Sequence, residues 1–326
     1  MEFLPDFDVL RPATIEDAVA ARAVHPEAPL LAGGTDLIPN LRRGIGEPDT
    51  VIELTGIEAL YGIEATNDGG VRIGAAVTLA EIADGPELLK GYTALVEAAS
   101  VVAGNTHRQV ATLGGNLCLD TRCVYYNQSH WWRAANDFCL KHEGDTCHVA
   151  PSGTHCFAAF SGDVAPAVLV FGGQVEIAGP NGTRTVPLPE IYTDDGQDHL
   201  RLEPGEMLTA VLLPPAAGAT SGYTKSRVRG SIDFPLAGIA IALTKDGDNL
   251  TRLDAALTGT NSCPIVVDGT ADLLGQDFTE EVAEKLAALL PKQIQPMTST
   301  FTPPGYRRKV VASMAKSLVT RLFEEP

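Results

Sequence analysis

Positive charge is scarce in this chain. Against 41 Asp and Glu stand 24 Lys and Arg, a formal net charge of -17, so no nucleic acid and no anionic membrane is expected as a partner. Long apolar runs are missing as well: the best, Val164 to Phe171, is far too short to span a bilayer. The opening Met1-Glu-Phe-Leu-Pro-Asp6 is acidic and has neither the n-region nor the h-region of a secretion signal. A cytoplasmic location is therefore expected, where thiols stay reduced. GxGxxG and GxxxxGK(S/T) are absent, and with them the signatures of Rossmann and P-loop nucleotide sites. There is no GxSxG elbow and no HExxH, which leaves a hydrolase reading without support.

What remains is an ordinary globular composition, 44% hydrophobic and 20% charged over 326 residues, long enough for two or three domains with real cores. One stretch is unlike the rest. From Gly104 to Asp163 the chain passes Thr112-Leu-Gly-Gly-Asn116, then Cys118, Cys123, Cys139, Cys147 and Cys156, and reaches Ser161-Gly-Asp163. Five of the six cysteines and both tryptophans lie in it, together with His130, His142, His148 and His155. Neither period-two nor helical apolar spacing is sustained between Cys123 and Cys156. A loop of that length must offset the entropy of fixing its backbone, and a metal group held by thiolates would do so. Disulfides suit small secreted chains and rank last. Structural zinc favours CxxC pairs, whereas the spacing here is Cys123-x15-Cys139-x7-Cys147-x8-Cys156; the four histidines are spare ligands. An iron–sulfur cluster needs four converging thiolates and tolerates wide spacing. Spacing alone leaves zinc and iron–sulfur both open.

Along the chain, Phe3 to Leu10 reads as an extended entry, and Thr14 can cap a helix over Ile15–Val24. Pro29–Ala32 reads as a short strand running into Gly33-Gly-Thr-Asp36 and a helical Leu37–Arg43. Strand, glycine turn and helix start present free N–H groups to an anion, although a plain tight turn fits the same residues. Strands at Thr50–Leu54, Gly56–Glu64 and Val71–Ile73, with helices at Leu79–Ala83 and Tyr92–Val102, make a small α/β unit. Thr112–Asn116 is a second Gly-Gly turn, and the two turns could grip one pyrophosphate from two sides. Beyond the cysteines, Ala165–Val170 is buried, and Gln174–Ile177 and Thr183–Val186 are strands joined by a turn at Gly179–Gly182. Met207–Leu213, Gly222–Val228 and Leu253–Thr258 are further strands, while Ala237–Leu243 fits helix or strand. Thr279–Leu290 is a helix, Pro303-Pro304 a break, and Tyr306–Phe323 a long amphipathic helix, with a boundary near Pro214–Gly218.

Taken in order, Leu30-Leu-Ala-Gly-Gly-Thr-Asp-Leu37, Thr112-Leu-Gly-Gly-Asn116, Ser161-Gly-Asp163 and Tyr223-Thr-Lys-Ser-Arg227 resemble the FAD-binding (medium) subunit of the molybdenum hydroxylases, the xanthine dehydrogenase family. The resemblance runs to Tyr306-Arg-Arg-Lys309 at the start of the last helix. It implies an α+β fold: an FAD-binding two-part α/β domain (vanillyl-alcohol-oxidase/PCMH-like) with an inserted cysteine loop, and a C-terminal α+β domain. The units would be 1–60, 61–215 with the loop at about 118–160, and 216–326. The insertion is similar to that of the 4-hydroxybenzoyl-CoA reductase β subunit, whose loop binds a [4Fe-4S] cluster. This likeness turns the choice from zinc to iron–sulfur and implies Cys123, Cys139, Cys147 and Cys156 as ligands, with Cys118 and Cys263 as free thiols.

The FAD contacts implied by the resemblance are Leu30, Leu31, Ala32, Gly33, Gly34, Thr35, Asp36 and Leu37 around the pyrophosphate. Thr112 and Asn116 would donate to phosphate or ribose, and Asp163 would accept from the adenosine end or a ribose hydroxyl. Val102 and Leu208 would pack on the cofactor, and Lys225 would stand near the flavin. The implied role is electron transfer, with the chemistry on a partner: a molybdopterin-binding large subunit, joined by a small subunit with two [2Fe-2S] clusters, as a dimer of heterotrimers. The added cluster implies inward flow from ferredoxin for reductive dehydroxylation of 4-hydroxybenzoyl-CoA. Two alternatives are a medium subunit of another molybdenum hydroxylase oxidising an aromatic or N-heterocyclic substrate, and a zinc-binding non-catalytic scaffold.

Overall fold

The computed structural model describes residues 4–325, so the expected extended entry is seen from Leu4 onward and Phe3 lies outside the described residues. Local chemistry sets the first helix: the Thr14 hydroxyl accepts from the Asp17 N–H at 3.1 Å, and Ile15–Val24 follows with Glu16 and Asp17 in its first turn, where acidic groups complement the helix dipole. Ala18 of this helix packs with Ile52, Ile57 and Leu60. Beside it lies a three-stranded parallel sheet in the spatial order Asp8–Leu10, Thr50–Glu53, Leu30–Leu31.

A second sheet is antiparallel throughout, with five strands ordered Ile63–Ala65, Val71–Gly74, Met207–Leu213, Gln174–Gly179, Gly182–Pro187. Val71, Ile73, Val175 and Val211 share one core with the helices Thr93–Ser100 and Val164–Leu169. A third sheet has four antiparallel strands ordered Ile265–Val266, Asn249–Thr258, Ala237–Asp246, Thr220–Ser226. It is packed on both faces. Ala240 and Ala242 join the core of the second sheet, whereas Ile239, Ile241 and Leu243 pack against Glu280–Gln293 and Pro304–Glu324. Ala237–Leu243 is thus a strand: its small and large residues alternate with period two between two different cores.

Two expected elements differ in form. Gly56–Glu64 is not one strand, because a 3-10 turn at Glu58–Leu60 precedes the strand at Ile63. The i, i+3 pair Ile57 and Leu60 is thereby buried in the first core. Pro303-Pro304 does not simply break the chain, since Pro304 is the first residue of the last helix, a position where a missing N–H costs nothing. Arg307, one turn on, is fully buried and donates to the carbonyls of Gly259 (2.8 Å) and Met297. No helix among the described residues is long and apolar enough to cross a membrane.

Ile241 is fully buried in the third sheet. Truncation by Ile241→Ala should destabilise the protein by about 2–5 kcal/mol, read as a lowered urea midpoint with the m-value retained.

Candidate functional site

The first glycine turn sits at the end of the strand Leu30–Leu31 and leads into the helix Leu37–Arg42. Gly34 has φ +68, and a Cβ on Gly33 would stand 1.8 Å from the Val110 carbonyl oxygen. Only glycine lets this turn lie against the segment that leads into the second motif. Among the described residues no protein oxygen accepts from the backbone N–H groups of Ala32, Gly33, Gly34, Thr35 or Asp36. A row of such donors suits a pyrophosphate, so this turn fits FAD.

The second motif is a short helix rather than a turn. Leu113–Leu117 is capped by the Thr112 hydroxyl, which accepts from Gly115 N–H at 3.1 Å, and Gly114 is pressed on Ala75, where a Cβ would come within 2.9 Å. Asn116 is buried, and its Oδ1 accepts from Val164 N–H at 3.1 Å. That bond holds the Ser161-Gly-Asp163 stretch to the second motif and leaves the Asn116 amide NH2 as the group able to donate outward. Gly162 crosses the Asn116 carbonyl so closely that a Cβ would lie 2.4 Å from it.

Asp163 does not stand alone. Its Oδ2 accepts from Lys225 Nζ at 2.9 Å and its Oδ1 from the Tyr223 hydroxyl at 2.7 Å. The Lys225 and Asp163 side chains are only 2% and 4% exposed. Burial pushes the Asp163 carboxyl up and the Lys225 ammonium down, and each pulls the other back toward its charged form. Both expected site residues are therefore committed first to one another. Val102 and Leu208 are brought to the same apolar core, and the Val102 carbonyl accepts from Arg108 Nη1 at 2.9 Å.

Between these motifs runs the cysteine loop, whose helical content among the described residues is the five-residue His130–Ala134. Two arginines that sequence spacing did not single out help to fasten it. Arg122 pairs with Asp36 and approaches Asn40 Oδ1 at 3.4 Å, with its guanidinium 4.7 Å from the Phe234 ring centroid. Arg133, 1% exposed, donates to the carbonyls of Gln128 (2.6 Å), Arg43 (3.2 Å) and Gly44 (2.6 Å). Both tie the loop to the segment just after the first glycine turn. The one sequence signal was the position of Arg122 immediately before Cys123.

Cys123, Cys139, Cys147 and Cys156 are buried, free of disulfides, and line one small cavity with Tyr125, Tyr126, Lys141 and His148. Burial pushes the Cys123 thiol up to about 12 and the Cys156 thiol up to about 11, so a cation would be needed to hold them as thiolates. Among the described residues no three His, Cys, Asp or Glu side chains come close enough together to hold a single metal ion. Cys118 and Cys263 are free and lie outside the cavity lining. His142 meets Glu143 at 3.0 Å, His148 contacts the Phe138 carbonyl, and His155 lies 4.1 Å from the Phe157 ring.

Residues 5–216 match the family described as the FAD binding domain in molybdopterin dehydrogenase, and residues 221–322 the CO dehydrogenase flavoprotein C-terminal domain. The chain is 34% identical over 247 residues to the aldehyde oxidoreductase FAD-binding subunit PaoB of Escherichia coli K12, covering 73% of this chain and 77% of that one. It is 27% identical over 319 residues to the carbon monoxide dehydrogenase medium chain of Afipia carboxidovorans, covering 97% and 96%. The structure superposes on reconstituted CO dehydrogenase from Oligotropha carboxidovorans with a TM-score of 0.81 and 25% identity, covering 99% of this chain and 100% of that one.

Gly33→Ala should weaken FAD binding by about tenfold or more while far-UV circular dichroism stays unchanged, measured as flavin retained after gel filtration. His199, buried beside Lys141 and Asp120, has its pKa pushed down to about 4 from 6.5, chiefly by burial and then by the Lys141 charge. A depressed pKa contributes stability that is complete above about pH 6.5 and lost as the pH falls through about 4. At about 1.36 kcal/mol per unit this amounts to ~3 kcal/mol, and His199→Asn should flatten that part of the stability–pH curve.

Proposed function

The chain belongs to the family of FAD-binding medium subunits of the molybdenum hydroxylases, and on that footing we propose that it carries a [4Fe-4S] cluster beside FAD and conducts electrons between them and its partners. Four free, buried thiols around one cavity, set between motifs that interlock, carry this reading. A zinc ion with Zn–S bonds of about 2.3 Å would draw its sulfurs to within ~4 Å of one another. The four thiols line a common cavity, and a cluster needs four thiolates converging on one point. Cys123, Cys139, Cys147 and Cys156 would hold it.

FAD, when bound, converts between one- and two-electron exchange. Leu30 to Leu37 would hold its pyrophosphate through the free N–H groups, with Thr112 and the Asn116 amide on the other side. Val102 and Leu208 would supply apolar contact. Asp163 would fix Lys225 in place, so that a buried cation favours negative charge on the reduced ring. The proposed domains are 1–60, 61–215 and 216–326.

The proposed complex joins this chain to a molybdopterin-binding large subunit and a small subunit with two [2Fe-2S] clusters, as a dimer of heterotrimers. The substrate class favoured is an aldehyde oxidised on the large subunit, because the relative at 34% identity bears that activity in its name. A second reading is reductive: ferredoxin as donor and dehydroxylation of 4-hydroxybenzoyl-CoA, favoured by the cysteine loop alone. Aldehyde-dependent dye reduction supports the first, and thioester dehydroxylation driven by reduced viologen supports the second.

Protein purified without air should hold roughly four iron and four sulfide per flavin in this chain, and Cys139→Ser with Cys147→Ser should remove the iron while flavin stays. A zinc-bearing, iron-free preparation would falsify the cluster.

A further inference from the structure

One wall of the cysteine cavity is a lysine that no ligand role accounts for. Lys141 lies two residues after Cys139 and lines the cavity beside the thiols. Its side chain is 5% exposed. The ammonium donates to Asp120 Oδ1, Thr121 Oγ1 and the Gly196 carbonyl, each at 2.6 Å. An ammonium has three protons to give and no lone pair, so these acceptors exhaust it and hold it in one place. The Thr121 hydroxyl spends its own proton on the Gly196 carbonyl at 2.5 Å, which orients its lone pairs toward the lysine. On the other side Nζ stands 4.7 Å from the centroid of Tyr126, itself a lining residue.

The charges around this ammonium are unequal in burial. Among the described residues Asp120 is its one carboxylate partner and is 29% exposed, so water screens it more than it screens the lysine. A buried cation that merely completed a salt bridge would have no reason to line the same cavity as four thiols.

We propose that Lys141 is a fixed positive charge that raises the reduction potential of the thiolate-held iron–sulfur group in this cavity, an inference that rests on the cluster reading above. Reduction adds one electron and no proton, so the site gains one negative charge. Net charge near a cluster is one of the levers on its potential, and a cation in a dry cavity wall stabilises the reduced form over the oxidised one.

The test is a redox titration of the assembled complex with dithionite, followed by EPR of the cluster. Lys141→Met should lower the one-electron reduction constant tenfold or more, about 59 mV in midpoint, while Lys141→Arg keeps it near wild type. Asp120→Asn removes the counter-charge and should shift the midpoint upward. Lys141→Met with full iron and a reduction constant within twofold of wild type overturns the inference. Should Lys141→Met lose its iron, Asp120→Asn decides: an upward shift supports the inference, and no shift or a downward one overturns it. Wild-type complex in which this chain holds no iron sinks the cluster reading itself, and iron analysis shows that before any variant is compared.

Discussion

The buried pair of Asp163 and Lys225 is the joint on which the arrangement turns. Asp163 leads into the helix Val164–Leu169, and Lys225 lies on the edge strand Thr220–Ser226 of the third sheet. Two charges removed from water cost several kcal/mol each unless their partners are well placed. Here both carboxylate oxygens are met, one by Lys225 and one by Tyr223. Breaking that joint would leave a bare charge between two cores, so the C-terminal sheet and the glycine motifs are held in a single register. Asn116 continues the chain of contacts from Val164 back to the second glycine motif, and Gly33 continues it to the first.

The cysteine loop depends on a different kind of support. It has little secondary structure of its own, and its two buried arginines reach Asp36, Asn40, Arg43 and Gly44. The segment that follows the first glycine turn is thus also the anchor of the loop. Anything that orders one steadies the other, because they share the same guanidinium contacts. The thiols themselves are poor ligands until a positive group stabilises them as thiolates, since burial holds Cys123 and Cys156 protonated. A metal group held by these thiols would order the loop as it bound.

Elements governed by neighbours in sequence were legible without coordinates. Leu79–Ala83 is bounded by a capping box from Thr78 and Glu81, and Met207–Leu213 is a compact apolar run between turn residues. Ala237–Leu243 was ambiguous because it is apolar at every position, and a strand buried on both faces carries no polar alternation. The second Gly-Gly stretch looked like a turn because glycine disfavours helix; packing on Ala75 and the Thr112 cap override that preference. Asp163 and Lys225 were both singled out by motif, but their mutual pairing was not, since 62 residues separate them.

By itself the sequence determined the kinds of chemistry present: two glycine motifs able to meet phosphate, six thiols of which four fall within one irregular stretch, and an acidic balance. These are statements about composition and short spacing, which a linear string carries in full. Tertiary structure decided which groups meet. It gathered the four cysteines on one cavity with Lys141 in its wall, joined Asp163 and Lys225 in a buried ion pair, and fastened the loop through Arg122 and Arg133. Such contacts join residues tens of positions apart, and their strength depends on how much water the surrounding core excludes, which only the packed chain defines.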